Sequence, residues 1–144
     1  MQLNPYGADA VTLAADLANR RPRSADELAE RCRAAGLVLE VPVTADDVDR
    51  VLATLDAWEQ VVDAQDERDR AALLNRMLAA AAAYPRLTDH AGGWHLHYRD
   101  AGQPLGAVLV SLIAVGTALH LAGRGMHRLR CRRTASRFAQ RAVQ

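Results

Sequence analysis

The stretch that decides the fold is LGAVLVSLIAVGTALHLA, residues 105–122, whose 18 residues include no Asp, Glu, Lys or Arg. Such a segment is long enough to cross a membrane, but it is also typical of a central helix buried on all sides. A buried core helix is favoured because polar residues lower the hydrophobicity of the segment and because the apolar faces of the preceding helices need a common partner. A stripe of small residues would also let neighbouring helices approach closely: Ala107, Ser111, Ala114, Ala118 and Ala122. We predict a core helix over about 104–123 and no membrane insertion.

Apolar residues recur at helical spacing in the segments before this helix. Ser24 is the predicted N-cap of one segment, with Glu27 completing a capping box, and Thr44 caps the next, with Asp46 and Asp47 in its first turn. Six helices are predicted in all, over about residues 9–19, 25–35, 45–65, 67–84, 104–123 and 126–141.

The segment RLTDHAGGWHLHYRD, residues 86–100, predicts a β-hairpin. Gly92 and Gly93 are a turn signal, and the alternation after them is typical of a half-buried strand that pairs with residues 86–88. Its predicted core face carries Trp94, Leu96 and Tyr98, opposite His95 and His97. A further short strand over 37–43 is weakened by Pro42. The predicted fold class is mainly α: a single-domain helical bundle of about six helices with one small β-hairpin.

Charge is distributed unevenly along the chain. All 18 basic residues are arginine, against 17 acidic residues. Seven arginines and no acid fall within 124–144, which leaves 11 − 17 = −6 for the rest of the chain. A basic end on an acidic body indicates either non-specific DNA contact or a solvated helix face. The candidate nucleic-acid-binding residues are Arg124, Arg128, Arg130, Arg132, Arg133, Arg137 and Arg141.

Motifs of catalysis and export are not found in the sequence. It has no nucleophile elbow, phosphate loop or HExxH pattern, so we predict that the protein is not an enzyme. The N-terminus MQLNPYGADA has no signal-peptide pattern, and two distant cysteines do not make a disulfide framework, so we expect a cytoplasmic protein. Cys32 is predicted to be a partly buried structural thiol, although Arg31 and Arg33 beside it would lower its pKa.

Two histidines have a spacing that metal sites use. His95 and His97 would share one face of a strand, which can hold zinc, but no third ligand is evident from the spacing. We therefore predict exposed polar residues opposite the core face of the strand.

Several segments, in this order, resemble the ABATE domain, the N-terminal part of the CGNR zinc-finger family. They are LAADLAN (13–19), SADELAERCRAAGL (24–37), LLNRML (73–78), GGWHLHY (92–98) and LIAVGTALHLAGRGMHRLRC (112–131). The resemblance implies a stress-response transcription regulator with a C-terminal zinc finger.

The resemblance places the start of that finger at Cys131, which matches its first ligand. The second ligand would fall near Ser136, and Phe138 stands where the family carries an aromatic residue. Because structural zinc requires four ligands, we expect no metal and no cofactor here. A truncated chain, a shifted reading frame and a naturally finger-less member all fit this pattern. The predicted division is an ABATE-like helical domain over 1–125 and a basic segment over 126–144.

Two functions follow from these observations. The first is a regulatory or ligand-sensing domain, with a pocket between the apolar helix and the second strand of the hairpin. Its candidate lining residues are Trp58, Trp94, Tyr98 and His120, which ordinary core packing would also explain. The alternative is a non-catalytic protein-interaction or homodimerisation module with a basic tail.

Overall fold

The computed structural model describes residues 8–81, 86–90, 93–97 and 102–126, and within them the fold is mainly helical, as predicted. Five helices and two strands follow in chain order: α1 Ala8–Asn19, α2 Ala25–Ala34, α3 Ala45–Asp63, α4 Glu67–Ala81, β1 Arg86–His90, β2 Gly93–His97 and α5 Leu105–Arg124. The sixth predicted helix falls almost wholly outside the described residues.

The predicted helix starts are confirmed. The Ser24 hydroxyl accepts a hydrogen bond from the backbone N–H of Glu27 at 3.2 Å, although the Glu27 carboxylate accepts from Arg23 rather than from Ser24 itself. Thr44 and Asp47 form a full capping box at the start of α3. These local bonds satisfy N–H groups that helix geometry leaves unpaired.

The core is built around α5, which packs against α1, α3 and α4. By length and composition α5 could cross a membrane, but 67% of its most apolar window is buried inside the protein. That burial is typical of a central core helix. Its buried residues are Leu105, Gly106, Leu109, Ser111, Leu112, Ile113, Ala114, Val115, Gly116, Thr117, His120 and Leu121.

The strand predicted over 37–43 is wrong. The segment forms no strand in the structure, and Val38 is 83% exposed. Pro42 has no N–H to donate, and the described sheet consists of β1 and β2, which pair with each other.

The hairpin prediction is confirmed in its pairing, with Arg86 opposite His97 and Thr88 opposite His95. The buried position predicted for Trp94 is wrong, because this residue is 73% exposed. Leu87 shares its face and is 66% exposed. Among the described side chains of this face, Leu87 and Trp94 therefore face solvent rather than the core around α5.

Candidate functional site: the core around α5 and its C-terminal end

Two of the four predicted pocket residues lie in the core. Trp58 on α3 and His120 on α5 are each 2% exposed. The indole Nε1–H of Trp58 donates to the hydroxyl of Thr117 at 2.9 Å, and Thr117 is fully buried. A buried indole N–H requires such an acceptor. Core packing therefore accounts for the position of Trp58.

The other two predicted pocket residues are not brought to this place. Trp94 lies on the exposed face of the hairpin, and Tyr98 lies outside the described residues. Ligand binding by Trp58, Trp94, Tyr98 and His120 stays a prediction, while the structure places Trp58 and Trp94 in opposite environments.

A buried carboxylate joins the starts of α3 and α5. Asp47 is 3% exposed. Its Oδ1 accepts from the backbone N–H of Gly106 at 2.7 Å, and its Oδ2 accepts from the N–H and the hydroxyl of Thr44 at 2.8 and 3.0 Å. Pro104 at the start of α5 provides no side-chain cap. Asp47 therefore caps two helices at once, its own and the core helix.

The charge of this carboxylate is held by its donors. Burial alone would raise the pKa of Asp47, but the hydrogen bonds from Gly106 and Thr44, with help from the positive charge of Arg50, lower its pKa below the ordinary value. Two helix N-termini also favour a negative charge at this point. Asp47 is therefore ionised across the neutral range, and the α3–α5 junction depends on that charge.

Gly106 allows the two helices to approach this closely. A Cβ atom at position 106 would lie 3.0 Å from Oδ1 and 3.1 Å from the Cα of Asp47, and 3.2 Å from the Cβ of Arg50. Two of these contacts involve backbone or near-backbone atoms, which cannot swing aside. The junction therefore requires a glycine at the first turn of α5.

The C-terminal end of α5 is fixed by a buried arginine. Arg70 is 4% exposed. Its guanidinium donates to the carbonyls of Val61 at 3.0 Å and Ala64 at 2.5 Å at the end of α3, and to the carbonyl of Met126 at 2.5 Å. One side chain thus closes the end of α3 and holds the chain just after α5. Arg70 therefore holds the chain at Met126, immediately after α5.

Residues at this end carry the predicted nucleic-acid contact. Arg124, in the last turn of α5, is exposed. Gly125 follows with φ of 93°, a conformation that favours glycine and ends the helix. Six of the seven candidate DNA-binding residues lie outside the described residues: Arg128, Arg130, Arg132, Arg133, Arg137 and Arg141.

The thiol and metal predictions have separate outcomes. Cys32 is fully buried, and burial raises its pKa to about 11 although Arg31 acts in the opposite direction. Cys32 is thus buried more completely than the partly buried position predicted for it. Arg31 itself donates to the Asp16 carboxylate at 2.7 Å and to backbone carbonyls at the end of α1.

No group of three metal-binding residues was found among the side chains that the structure describes, and Cys131 lies outside them.

These elements define a small, mainly helical protein with a buried central helix and a basic segment that continues from the end of that helix. A family model named ABATE, with the description "Putative stress-induced transcription regulator", matches residues 10–124. The match covers most of the chain, so the chain belongs to the ABATE family, as its sequence resemblance indicates. No curated protein matches it.

Neither helix junction is predicted by the sequence. From the sequence, Asp47 is expected only to be a negative charge in the first turn of its own helix, which Thr44 caps. The available signal was Pro104-Leu105-Gly106, a helix start without a Ser, Thr, Asp or Asn cap, which requires a cap from elsewhere. The burial of Arg70 has no comparable signal, because its sequence DERDR is typical of an exposed segment.

Proposed function

We propose that this chain is a regulatory domain of a transcription regulator, and that its arginine-rich C-terminal segment contacts DNA. The observation that supports the proposal is the exposure of Arg124, the described member of the arginine set, in the last turn of α5. The family match supports the transcriptional role at family level.

Electrostatics favour this arrangement. The seven arginines of 124–144 would neutralise DNA phosphates, while the rest of the chain carries a net −6 and would be repelled by them. The acidic body therefore directs DNA to the basic segment. The bond from Arg70 to the Met126 carbonyl supports the proposal because it anchors the start of that segment to the bundle.

The test is the anisotropy of a labelled DNA duplex titrated with the full chain over a series of salt concentrations. With seven phosphate contacts the affinity would fall with a log–log slope of up to about −6, since each contact contributes about −0.9. Replacing Arg128, Arg130 and Arg132 by Gln would reduce the magnitude of the slope by about 3. Affinity would be nearly independent of sequence, because phosphate contacts do not read bases.

A matched variant separates the segment from overall charge. Arg33, Arg68 and Arg76 are exposed on α2 and α4, and their replacement by Gln removes the same charge from the bundle. The salt slope of this variant would remain that of the unaltered chain. Equal losses in both triple variants, or a salt-insensitive and sequence-selective complex, would contradict DNA contact through the segment.

A second candidate function, a protein-interaction or homodimerisation module, is favoured by one observation. Leu87 and Trp94 share a hairpin face and are 66% and 73% exposed. Large exposed apolar side chains that lie together are typical of contact surfaces. Sedimentation equilibrium of the unaltered chain would then show a dimer, and replacing Leu87 and Trp94 by Ser would yield a monomer. Val38, which is 83% exposed and lies outside the hairpin, provides the control V38S, which would remain a dimer. An unaltered chain that is monomeric at all concentrations would contradict this function.

We propose that both candidate functions are non-enzymatic and are carried out in the cytoplasm, a compartment that keeps thiols reduced. A test of the first point is a search for hydrolase activity on general ester and phosphate substrates, in which we expect turnover no faster than that of the buffer.

A further inference from the structure

Arg70 differs from the charged residues that precede it. Residues 66–69 are all exposed, whereas Arg70, near the start of α4, is 4% exposed. Charged side chains are almost never buried unless a partner satisfies them. In the described part of the chain, the hydrogen-bond partners of Arg70 are three backbone carbonyls and not a carboxylate. The burial of Arg70 is therefore explained by its contacts with the backbone.

The three carbonyls belong to the ends of two helices. Val61 and Ala64 stand at the end of α3, and Met126 follows the end of α5. The C-terminus of a helix has unpaired carbonyls and a partial negative charge, so a cation between two such ends is favourable. One side chain on α4 thus joins the end of α3 to the chain after α5. We call these three bonds the Arg70 bridge.

The Arg70 bridge holds the chain where the basic segment begins. Helix α5 ends at Arg124, and Gly125 turns the chain with φ of 93°. The next carbonyl, that of Met126, accepts from the Arg70 guanidinium at 2.5 Å. Residues 127–144, which include six arginines and no acid, therefore start from a backbone position that is fixed relative to the bundle.

We infer that Arg70 is a positioning residue for DNA binding by this segment, an inference that rests on the DNA contact proposed above. A fixed start restricts the directions in which the segment leaves a body of net charge −6, so fewer arrangements bring that acidic body towards the phosphates. Fixing a binding element in advance also reduces the entropy that is lost on binding. Arg70 thus raises the affinity for DNA without contacting DNA.

Salt separates the Arg70 bridge from the DNA contact itself. Added salt screens exposed charges strongly and buried ones much less, and contacts between arginine and phosphate are lost as salt rises. Loss of the bridge would therefore lower the affinity by a similar factor at each salt concentration and leave the log–log slope unchanged. Coupling between two sites typically changes affinity about 5–150-fold, and for a single bond to Met126 we expect about fivefold.

The coupling has a consequence for the stability of the bundle. A segment that is independent of the bundle would bind DNA equally in the folded and the unfolded chain, so DNA would not change the thermal midpoint. A segment that binds more tightly while Arg70 holds it favours the folded chain, so DNA would raise the midpoint. An arginine that only stabilises the fold would not make this rise depend on the connection after Met126.

The test is the anisotropy of a labelled DNA duplex titrated with full-length chains over a series of salt concentrations. R70M removes the guanidinium, and insertion of Gly-Gly between Met126 and His127 keeps the Arg70 bridge but frees the segment from it. Each change would weaken binding about fivefold with an unchanged salt slope. DNA would no longer raise the thermal midpoint of either variant. The insertion variant decides the outcome if R70M does not fold.

Two controls separate positioning from other effects. Gly-Gly inserted between Arg141 and Ala142 adds the same residues at the far end of the segment, and L112A destabilises the core in the middle of α5. Both would bind DNA as the unaltered chain does at a temperature where they are folded.

The possible failures are distinguishable. Full affinity and an undiminished midpoint rise after insertion at Met126 would overturn the positioning role and leave the DNA contact standing, even if R70M binds weakly. An unaltered chain without salt-dependent DNA binding would overturn both the contact and the role of Arg70.

Discussion

Replacing Asp47 by Ala is expected to destabilise the fold more than any other exchange of an acidic residue among those described here. The carboxylate accepts hydrogen bonds from two helix starts, at 2.7 Å from Gly106 and at 2.8 and 3.0 Å from Thr44. Its loss removes a cap from each of two helices, which costs about 0.5–2 kcal/mol apiece. It also leaves a buried N–H of Gly106 without an acceptor, at about 1–3 kcal/mol. These contributions overlap, and we expect a total loss of about 2–4 kcal/mol in the free energy of unfolding.

The assay is equilibrium unfolding in urea near neutral pH, followed by far-ultraviolet circular dichroism. Asp46 provides the matched control, because it stands beside Asp47 in the first turn of α3 but is exposed. D46A would lose the interaction of one surface charge with the helix dipole, about 0.3–1 kcal/mol.

The pH dependence gives an independent check on the same charge. The folded-state pKa of Asp47 lies below its ordinary value, so its contribution to stability is complete above the unfolded-state pKa of about 3.9 and is lost as pH falls through the folded-state value. The difference in stability between the unaltered chain and D47A would therefore be constant from neutral pH down to about 5 and would shrink below about 4. Asp16 and Asp66, whose pKa values are also lowered, are present in both proteins and cancel in this difference.

Two results would refute this reasoning. One is a loss in D47A no larger than that in D46A. The other is a stability difference between D47A and the unaltered chain that persists undiminished at a pH well below the ordinary aspartate value.

Three further predictions concern the core and its thiol. Replacing Leu112, which is 8% exposed on α5, by Ala would lower the free energy of unfolding in urea by about 2–5 kcal/mol. The same exchange at the half-buried Leu119 is the control and would cause a smaller loss. A change near zero at Leu112 would mean that α5 does not face protein core. G106A would lower stability by about 1–2 kcal/mol despite the better helix propensity of alanine, because its Cβ would lie 3.1 Å from the Asp47 Cα. The control G123A, at an exposed position of the same helix, would raise stability by up to about 1 kcal/mol. Equal shifts of the thermal midpoint in the two variants would contradict the tight α3–α5 junction. In a C131S chain, Cys32 would react with an aromatic disulfide reagent only after unfolding, because its thiol is fully buried and burial raises its pKa to about 11. Rapid labelling of the native chain would contradict this prediction, since it would show that the thiol is accessible.

The sequence predicted the helices where local signals agree. Ser24 and Thr44 mark their helix starts through side chains that bond to the backbone three residues on, and such bonds form within one turn regardless of the rest of the fold. The burial of α5 was also predictable, because an uncharged segment of that length has no stable place in contact with water.

The hairpin shows where local signals cease to be sufficient. The alternation of Trp94 with His95 correctly indicated a strand, since period-two patterning is a property of the chain itself. It did not indicate which side of the strand would be covered. That depends on whether another element lies against the face, and α5 is already enclosed by α1, α3 and α4.

The amino-acid sequence by itself determined the mainly helical class, the central helix, the family and the basic C-terminal segment, because hydrophobic periodicity, caps and charge act over a few neighbouring residues. Only the tertiary structure decided that Asp47 caps α5 across 59 positions of sequence and that Arg70 is buried against the chain after that helix. The physical reason is that each of these contacts depends on the close approach of groups whose partners are chosen by packing rather than by distance along the chain.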